Sequence, residues 1–198
     1  MIKFNNLNNS EPYNKLYDLY LKSLDKDQQT IEALLVASFC SEKNTSDARY
    51  VNLKIVDDDE FIFFSNYNSP KSNQFKSNNR ITCVLYWSSI YTQIRMKGTI
   101  KKTSRSFNIE YFKKRSPNKN ALAISSSQSD KIENYAKVIK NYENSLTRDD
   151  LSKCPEYWGG YSFKPNYFEF WEGHEKRLNK RVVYNYKAGN WQKYFIQP

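Results

Sequence analysis

Three short clusters in this chain combine basic and hydroxyl or amide side chains at spacings that suit anion binding. In RYVNLK, Arg49 and Lys54 lie on a segment that reads as a strand. Their odd separation turns them to opposite faces, where they would serve different groups of a ligand. In SNYNSPK, Ser65, Ser69 and Lys71 gather around a turn that opens a helix. Ser69 as N-cap and Pro70 as first helical residue would aim free backbone N–H groups at an anion. In RLNKR, an extended backbone would put Arg177, Asn179 and Arg181 on one face. Two guanidiniums and an amide there suit a phosphate and a heterocycle. Side chains must do this work, because the chain has only five glycines and neither a GxGxxG nor a Walker pattern. Each cluster alone has a plainer reading, since basic residues also guard strand edges against pairing.

Other chemistries are poorly served. Cys40, Cys83 and Cys154 are far apart and form no CxxC or Cys/His group. They read as free thiols in a reducing compartment, which places the protein in the cytoplasm. His174, the only histidine, sits in the polar turn EGHEK. No metal site and no Ser-His-Asp or Cys-His set is expected. A net charge of +10 calls for an anionic partner: nucleic acid, a membrane surface or a phosphorylated small molecule. The basic residues are spread over strand positions and match no nucleic-acid motif, so nucleic acid is not expected. There is neither an apolar signal-peptide region nor a run approaching the ~20 apolar residues of a membrane span, so no membrane partner is expected.

The elements that must position these clusters are mostly strands. Residues 1–30 form an extension with a helix over 11–24, where Leu16, Tyr17, Tyr20, Leu21 and Leu24 recur at helical spacing. Strands are predicted at 33–40, 49–56, 61–65, 80–87 and 91–102, with a polar turn over 41–48 and a short helix over 70–78. Helices follow at 104–114 and 130–144, separated by a loop-rich stretch. After Pro155 the strand pattern returns in YWGGYSF, NYFEFWEG, RVVYNY and WQKYFIQ, with a hairpin turn at 187–190. Antiparallel strands with short connections argue for a small β-barrel rather than a parallel sheet.

In chain order, RxVxLK, FxSNxxSxK, a strand with Gln93, YFxxR, QS, WGGY, EFWxG and RLxxR resemble the pyridoxamine 5′-phosphate oxidase family, from about residue 33 to Pro198. The resemblance implies one FMN-binding split β-barrel domain over 1–198, mainly β with added helices, that forms a homodimer with FMN at the subunit interface. It implies FMN contacts at Arg49, Tyr50, Val51, Asn52, Leu53 and Lys54, at Phe64, Ser65 and Lys71, and at Gln93, Gln128, Ser129, Trp171 and Arg181. It implies substrate contacts at Lys54, Tyr111, Arg115, Arg177 and Asn179, the last two nearest the chemistry. The activity implied is oxidation of pyridoxamine or pyridoxine 5′-phosphate to pyridoxal 5′-phosphate with O₂ as acceptor.

The sequence departs from that family at four places. Pro70 stands where the family has an Arg before the Lys, and Thr92 where it has an Arg before Gln93. Lys119 replaces a substrate-phosphate Ser, and Asn179 replaces the His of RLHDR. These departures keep two alternatives open: a related FMN-dependent oxidoreductase with another substrate, and a flavin- or nucleic-acid-binding protein without catalysis.

Overall fold

The computed structural model describes residues 1–198. The strands are β1 (Lys3–Asn5), β2 (Ala33–Cys40), β3 (Thr45–Asp57), β4 (Glu60–Asn66), β5 (Arg80–Trp87), β6 (Thr92–Lys102), β7 (Trp158–Glu172), β8 (Lys180–Lys187) and β9 (Asn190–Ile196). The helices are α1 (Glu11–Asp25), α2 (Pro70–Ser77), α3 (Arg105–Lys113), α4 (Pro117–Ser125) and α5 (Tyr135–Arg148).

Six strands close on themselves. β3 pairs with β2, β2 with β5, β5 with β6, β6 with β7, β7 with β4, and β4 returns to β3. This closure removes the edges an open sheet would expose. The inward positions are apolar and fully buried, among them Leu34, Leu53, Phe63, Leu85, Ile94 and Phe163. α1 packs onto this core through Tyr13, Leu16 and Tyr20, whose spacing gives one helical face.

β7 belongs to two sheets. Its first half lies between β4 and β6, and its second half between β6 and β8. A bulge opposite Gly98 marks the change. Pro165 is tolerated there because a bulge spares it a ladder bond. A side chain at Gly98 would overlap the Lys164 carbonyl, so the close approach of the two strands requires glycine.

Several boundaries differ from the sequence reading. YWGGYSF and NYFEFWEG are one bulged strand, not two. The polar turn is only 41–44, and β3 already begins at Thr45, because its exposed first turn of residues needs no apolar alternation. The stretch between the middle helices contains α4, started by Ser116 and Pro117. α5 begins later than predicted, where the Asn134 side chain accepts a hydrogen bond from the Lys137 N–H.

The barrel splits between β3 and β4. Pairing runs from Asp57 back to Leu53, where Lys54 is an extra residue on β3. Beyond that bulge β3 continues beside β2 alone, while β4 continues beside β7. The gap is where the cavity described next lies.

Candidate functional site

A cavity of about 1270 Å³ opens in this gap, walled by β3 and β4 and by residues of α2, α3 and α4. It brings together Arg49, Tyr50, Val51, Asn52, Lys54, Phe64, Ser65, Lys71, Tyr111, Arg115, Gln128 and Ser129. Arg49 and Lys54 lie on opposite faces of β3, with alternation kept from 49 to 54, yet both border the cavity because β3 stands at the gap and residues of both its faces line it. Of this predicted run only Leu53 lies outside the cavity, fully buried in the core, against which Val51 also packs.

At one end stands Lys71, only 7% exposed. Its ammonium donates to Ser65 Oγ at 2.9 Å, Ser69 Oγ at 3.1 Å and Gln128 Oε1 at 3.1 Å. All three are neutral oxygens. Burial, with the Arg49 charge nearby, pushes the Lys71 pKa down to about 8. Ser69 does occupy the N-cap position of α2, but its hydroxyl makes no capping bond and donates to the Asn66 carbonyl at 2.8 Å instead. Arg49 is held differently. It donates to Ser38 Oγ at 2.6 Å and to Gln74 Oε1 at 2.9 Å, and pairs with Asp47 at 2.6 Å.

At the other end, Tyr111 stacks on Phe64 with centroids 3.7 Å apart, and Phe64 stacks on Trp158 at 5.1 Å. The Arg115 guanidinium lies 4.3 Å over the Trp158 ring. Its Nη2 donates to the Lys119 carbonyl at 3.1 Å, while its Nη1 is buried with no partner. Burial pulls the Arg115 guanidinium below its ordinary pKa, partly opposed by Tyr111. Tyr111 and Arg115 both line this wall, but they do not share a helix face as their spacing predicts, because α3 ends at Lys113 and Arg115 lies in the turn beyond it. Lys54 completes the wall, 3.5 Å from Glu32. Lys119 lines the same cavity.

Gln93, Trp171, Arg177, Asn179 and Arg181 are elsewhere. Gln93, Trp171 and Arg181 form one row across β6, β7 and β8. β6 is diametrically opposite β3 in the six-stranded ring, so this row does not line the cavity of its own chain. Arg177 and Asn179 do not share a strand face with Arg181, because β8 begins only at Lys180. Arg177 takes a left-handed backbone (φ 60°), and Asn179 Oδ1 accepts from the His174 N–H at 3.1 Å. His174 is exposed in its turn.

Comparison with known proteins decides the family. Residues 27–140 match the family described as pyridoxamine 5′-phosphate oxidase, and residues 158–198 match the pyridoxine 5′-phosphate oxidase C-terminal dimerisation region. The chain belongs to the pyridoxamine 5′-phosphate oxidase family. It is an FMN-dependent oxidoreductase of that family, with the family's split-barrel fold. A pyridoxine/pyridoxamine 5′-phosphate oxidase of Janthinobacterium sp. is 33% identical over 159 residues, 76% of this chain and 72% of that one. One from Colwellia psychrerythraea is 27% identical over 187 residues, 93% of this chain and 86% of that one. Among solved structures, PhzG from Burkholderia lata 383 has a TM-score of 0.89 at 24% identity, covering 96% of this chain and 93% of that one. An FMN-binding protein from Nostoc punctiforme has a TM-score of 0.79 at 14% identity, covering 96% and 99%. These two show a shared fold.

The residues present fit a phosphate-bearing cofactor. Lys71 is a buried cation surrounded by neutral oxygens, and Arg115 Nη1 is a buried donor with no acceptor. Both are arrangements that an anion satisfies. The sequence reading missed the residues that hold these groups. Ser38 and Gln74 fix Arg49, Trp158 supports Arg115, and Glu169 grips Arg181. Glu169 was legible in principle as an acid set among the aromatics of NYFEFW. Ser38 and Gln74 gave no signal.

Proposed function

We propose that the protein oxidises pyridoxamine or pyridoxine 5′-phosphate to pyridoxal 5′-phosphate, with O₂ as acceptor, as a homodimer in the cytoplasm. The observation that carries this reading is the presence of two separate cations in one cavity with no carboxylate partner, Lys71 among neutral oxygens and Arg115 with a buried N–H left without an acceptor, with a planar aromatic wall beside them. Two phosphate-bearing ring compounds, the cofactor and the substrate, need that arrangement. Lys71, Ser65, Gln128 and Ser129 would hold the FMN phosphate. Arg115, Tyr111 and Lys54 would hold the substrate phosphate. The cytoplasmic placement rests on the three unpaired cysteines, and no helix is long and apolar enough to cross a membrane.

The dimer follows from the barrel. Gln93, Trp171 and Arg181 belong to the same reading but face away from their own cavity, so a second copy would supply them. The match of 158–198 to a dimerisation region supports this, because Trp171, Arg177, Asn179 and Arg181 all lie in that region. FMN, held by Lys71, Ser65, Gln128 and Ser129, would supply the two-electron redox chemistry, with O₂ as the final acceptor. The chain's residues do the rest. Lys54, Tyr111 and Arg115 fix the substrate by its phosphate, so that its ring lies along the aromatic wall. Arg177 and Asn179 would approach the reacting end, where Asn179 can donate and accept a hydrogen bond without titrating.

Lys119, on the cavity wall beside Arg115, favours a second reading: the same flavin chemistry on a different anionic substrate. One assay separates the two. Purified FMN-loaded protein is given each 5′-phosphate, and H₂O₂ and pyridoxal 5′-phosphate are measured. Release of both supports the first reading. A flavin-loaded protein that turns over neither compound refutes it in favour of the second.

A further inference from the structure

Outside the cavity, the most completely built polar cluster centres on Glu169. It lies on the outer face of β7, yet is only 2% exposed. Its Oε1 accepts from Arg181 Nε at 2.9 Å and from Arg181 Nη2 at 2.6 Å. Its Oε2 accepts from Arg95 Nε at 3.1 Å, from Arg95 Nη2, and from the Tyr167 hydroxyl at 2.9 Å. The register explains the contacts. Arg95 is directly opposite Glu169 on β6, and Arg181 is opposite Trp171, two residues further along β7. One carboxylate thus grips two guanidiniums from the two flanking strands, each donating through Nε and Nη2 to a single carboxylate oxygen.

A buried ion pair is weak evidence for stability, because desolvating three charges offsets most of their attraction. What the arrangement does achieve is orientation. An arginine on an outer strand face ordinarily samples many rotamers. Arg181 is fixed through Nε and Nη2, and its Nη1 is left to donate to the Gln197 carbonyl at 3.0 Å at the exposed edge. The guanidinium is therefore presented in one place, beside Trp171 and Gln93.

We propose that Glu169 is the positioning residue of this half of the site: it holds Arg181 in the pose that meets the cofactor, and so sets FMN affinity without touching FMN. The proposal rests on the reading above that Arg181 contacts FMN. Glu169→Gln keeps size and packing but removes the charge that grips both arginines. FMN binding to the cofactor-free protein should weaken about tenfold, the loss of one charge-assisted contact in the pose.

The test is a double-variant cycle read by titrating cofactor-free protein with FMN and recording the visible band of the bound flavin. Glu169→Gln, Arg181→Ala and the pair are compared with wild type. The proposal expects both singles to weaken FMN, the double to bind no worse than Arg181→Ala, and the band to shift in both singles. If Glu169→Gln binds FMN like wild type while Arg181→Ala does not, Glu169 is only structural and the proposal fails. If the two losses add in the double, Glu169 does not act through Arg181, and it fails again. If Arg181→Ala leaves FMN binding untouched, the assignment of Arg181 falls and takes the proposal with it. Arg181→Lys guards against a Glu169 variant that does not fold. It keeps the charge but cannot donate through two nitrogens, so it should weaken FMN nearly as much as Ala. Wild-type affinity in Arg181→Lys would overturn the proposal.

Discussion

With Lys71 holding the FMN phosphate as proposed, FMN affinity should depend on pH around 8. In the cofactor-free protein its ammonium is buried among neutral oxygens and its pKa sits at about 8, against an ordinary 10.5. A bound phosphate dianion raises it again. Binding therefore draws on the protonated form, which is about nine-tenths of the free protein at pH 7 and about one-tenth at pH 9. Affinity is fully present below pH 8 and is lost as pH rises toward the value in the complex. Between pH 7 and 9 the FMN dissociation constant should rise about tenfold, ~1.4 kcal/mol. The phosphate itself contributes little, since its second pKa is near ~6. The stability of the cofactor-free protein should move the other way. Its folded state binds fewer protons than the unfolded chain between about 8 and 10.5, so its melting temperature gains a contribution that grows with pH across that window. The assay is a flavin fluorescence titration at constant ionic strength from pH 7 to 9, on wild type and Lys71→Met. The variant should bind FMN more weakly at pH 7 and lose the slope. A wild type with constant affinity, or a Lys71→Met protein with the same slope, refutes the reasoning.

Arg115→Met should raise KM for a 5′-phosphate substrate at least tenfold, since a charge-assisted bond is worth ~1.5–3 kcal/mol, while steady-state kinetics and FMN titration together show FMN affinity unchanged. Equal damage to both would mean the two ends of the cavity are not separate. Pro70→Arg restores a cation beside Lys71 and should tighten FMN about tenfold by titration, at a cost of ~0.5–1 kcal/mol in the cofactor-free melt from losing the preset first residue of α2. Gly159→Ala should lower the melting temperature by ~2–10 °C, because the new methyl meets Tyr67 and Asn108, and overpacking costs ~1–3 kcal/mol. An unshifted melt would show that this corner of the barrel yields freely.

The sequence made the strands and the anion chemistry legible because both depend on local pattern. Alternation in β5 and β6, and the Ser-Pro start of α2, are properties of short segments. The cavity itself was not legible, since it exists only where β3 and β4 part. That event turns on one extra residue, Lys54, and no spacing rule marks a bulge in advance. The gap is also why Arg49 and Lys54, on opposite faces of β3, border one cavity. The RLNKR segment misled for a related reason: Arg177 can share a face with Arg181 only if the strand extends back to it, and a left-handed residue ends that possibility. The partners of the arginines were hidden because they come from distant strands and helices, as Gln74 does for Arg49 and Glu169 for Arg181.

The four conspicuous cations of the site divide by how they are satisfied without ligand. Arg49 has Asp47, Gln74 and Ser38 around it, and Arg181 has Glu169. Lys71 has only neutral oxygens, and Arg115 keeps a buried N–H with no acceptor at all. An anion arriving at Arg49 or Arg181 shares a cation already engaged by a carboxylate, so its gain there is smaller and depends on the pose the carboxylate fixes. An anion arriving at Lys71 or Arg115 relieves a desolvation cost that the fold already carries, so it gains affinity. The strong anion sites should therefore be the two ends of the cavity, with the two clamped arginines deciding how a ring between them is turned. The clamping groups Ser38, Asp47 and Glu169 lie on strands β2, β3 and β7, with Gln74 of α2 beside them. Orientation requires a rigid frame, and β2, β3, β6, β7 and β8 supply it through backbone ladders that no ligand has to order.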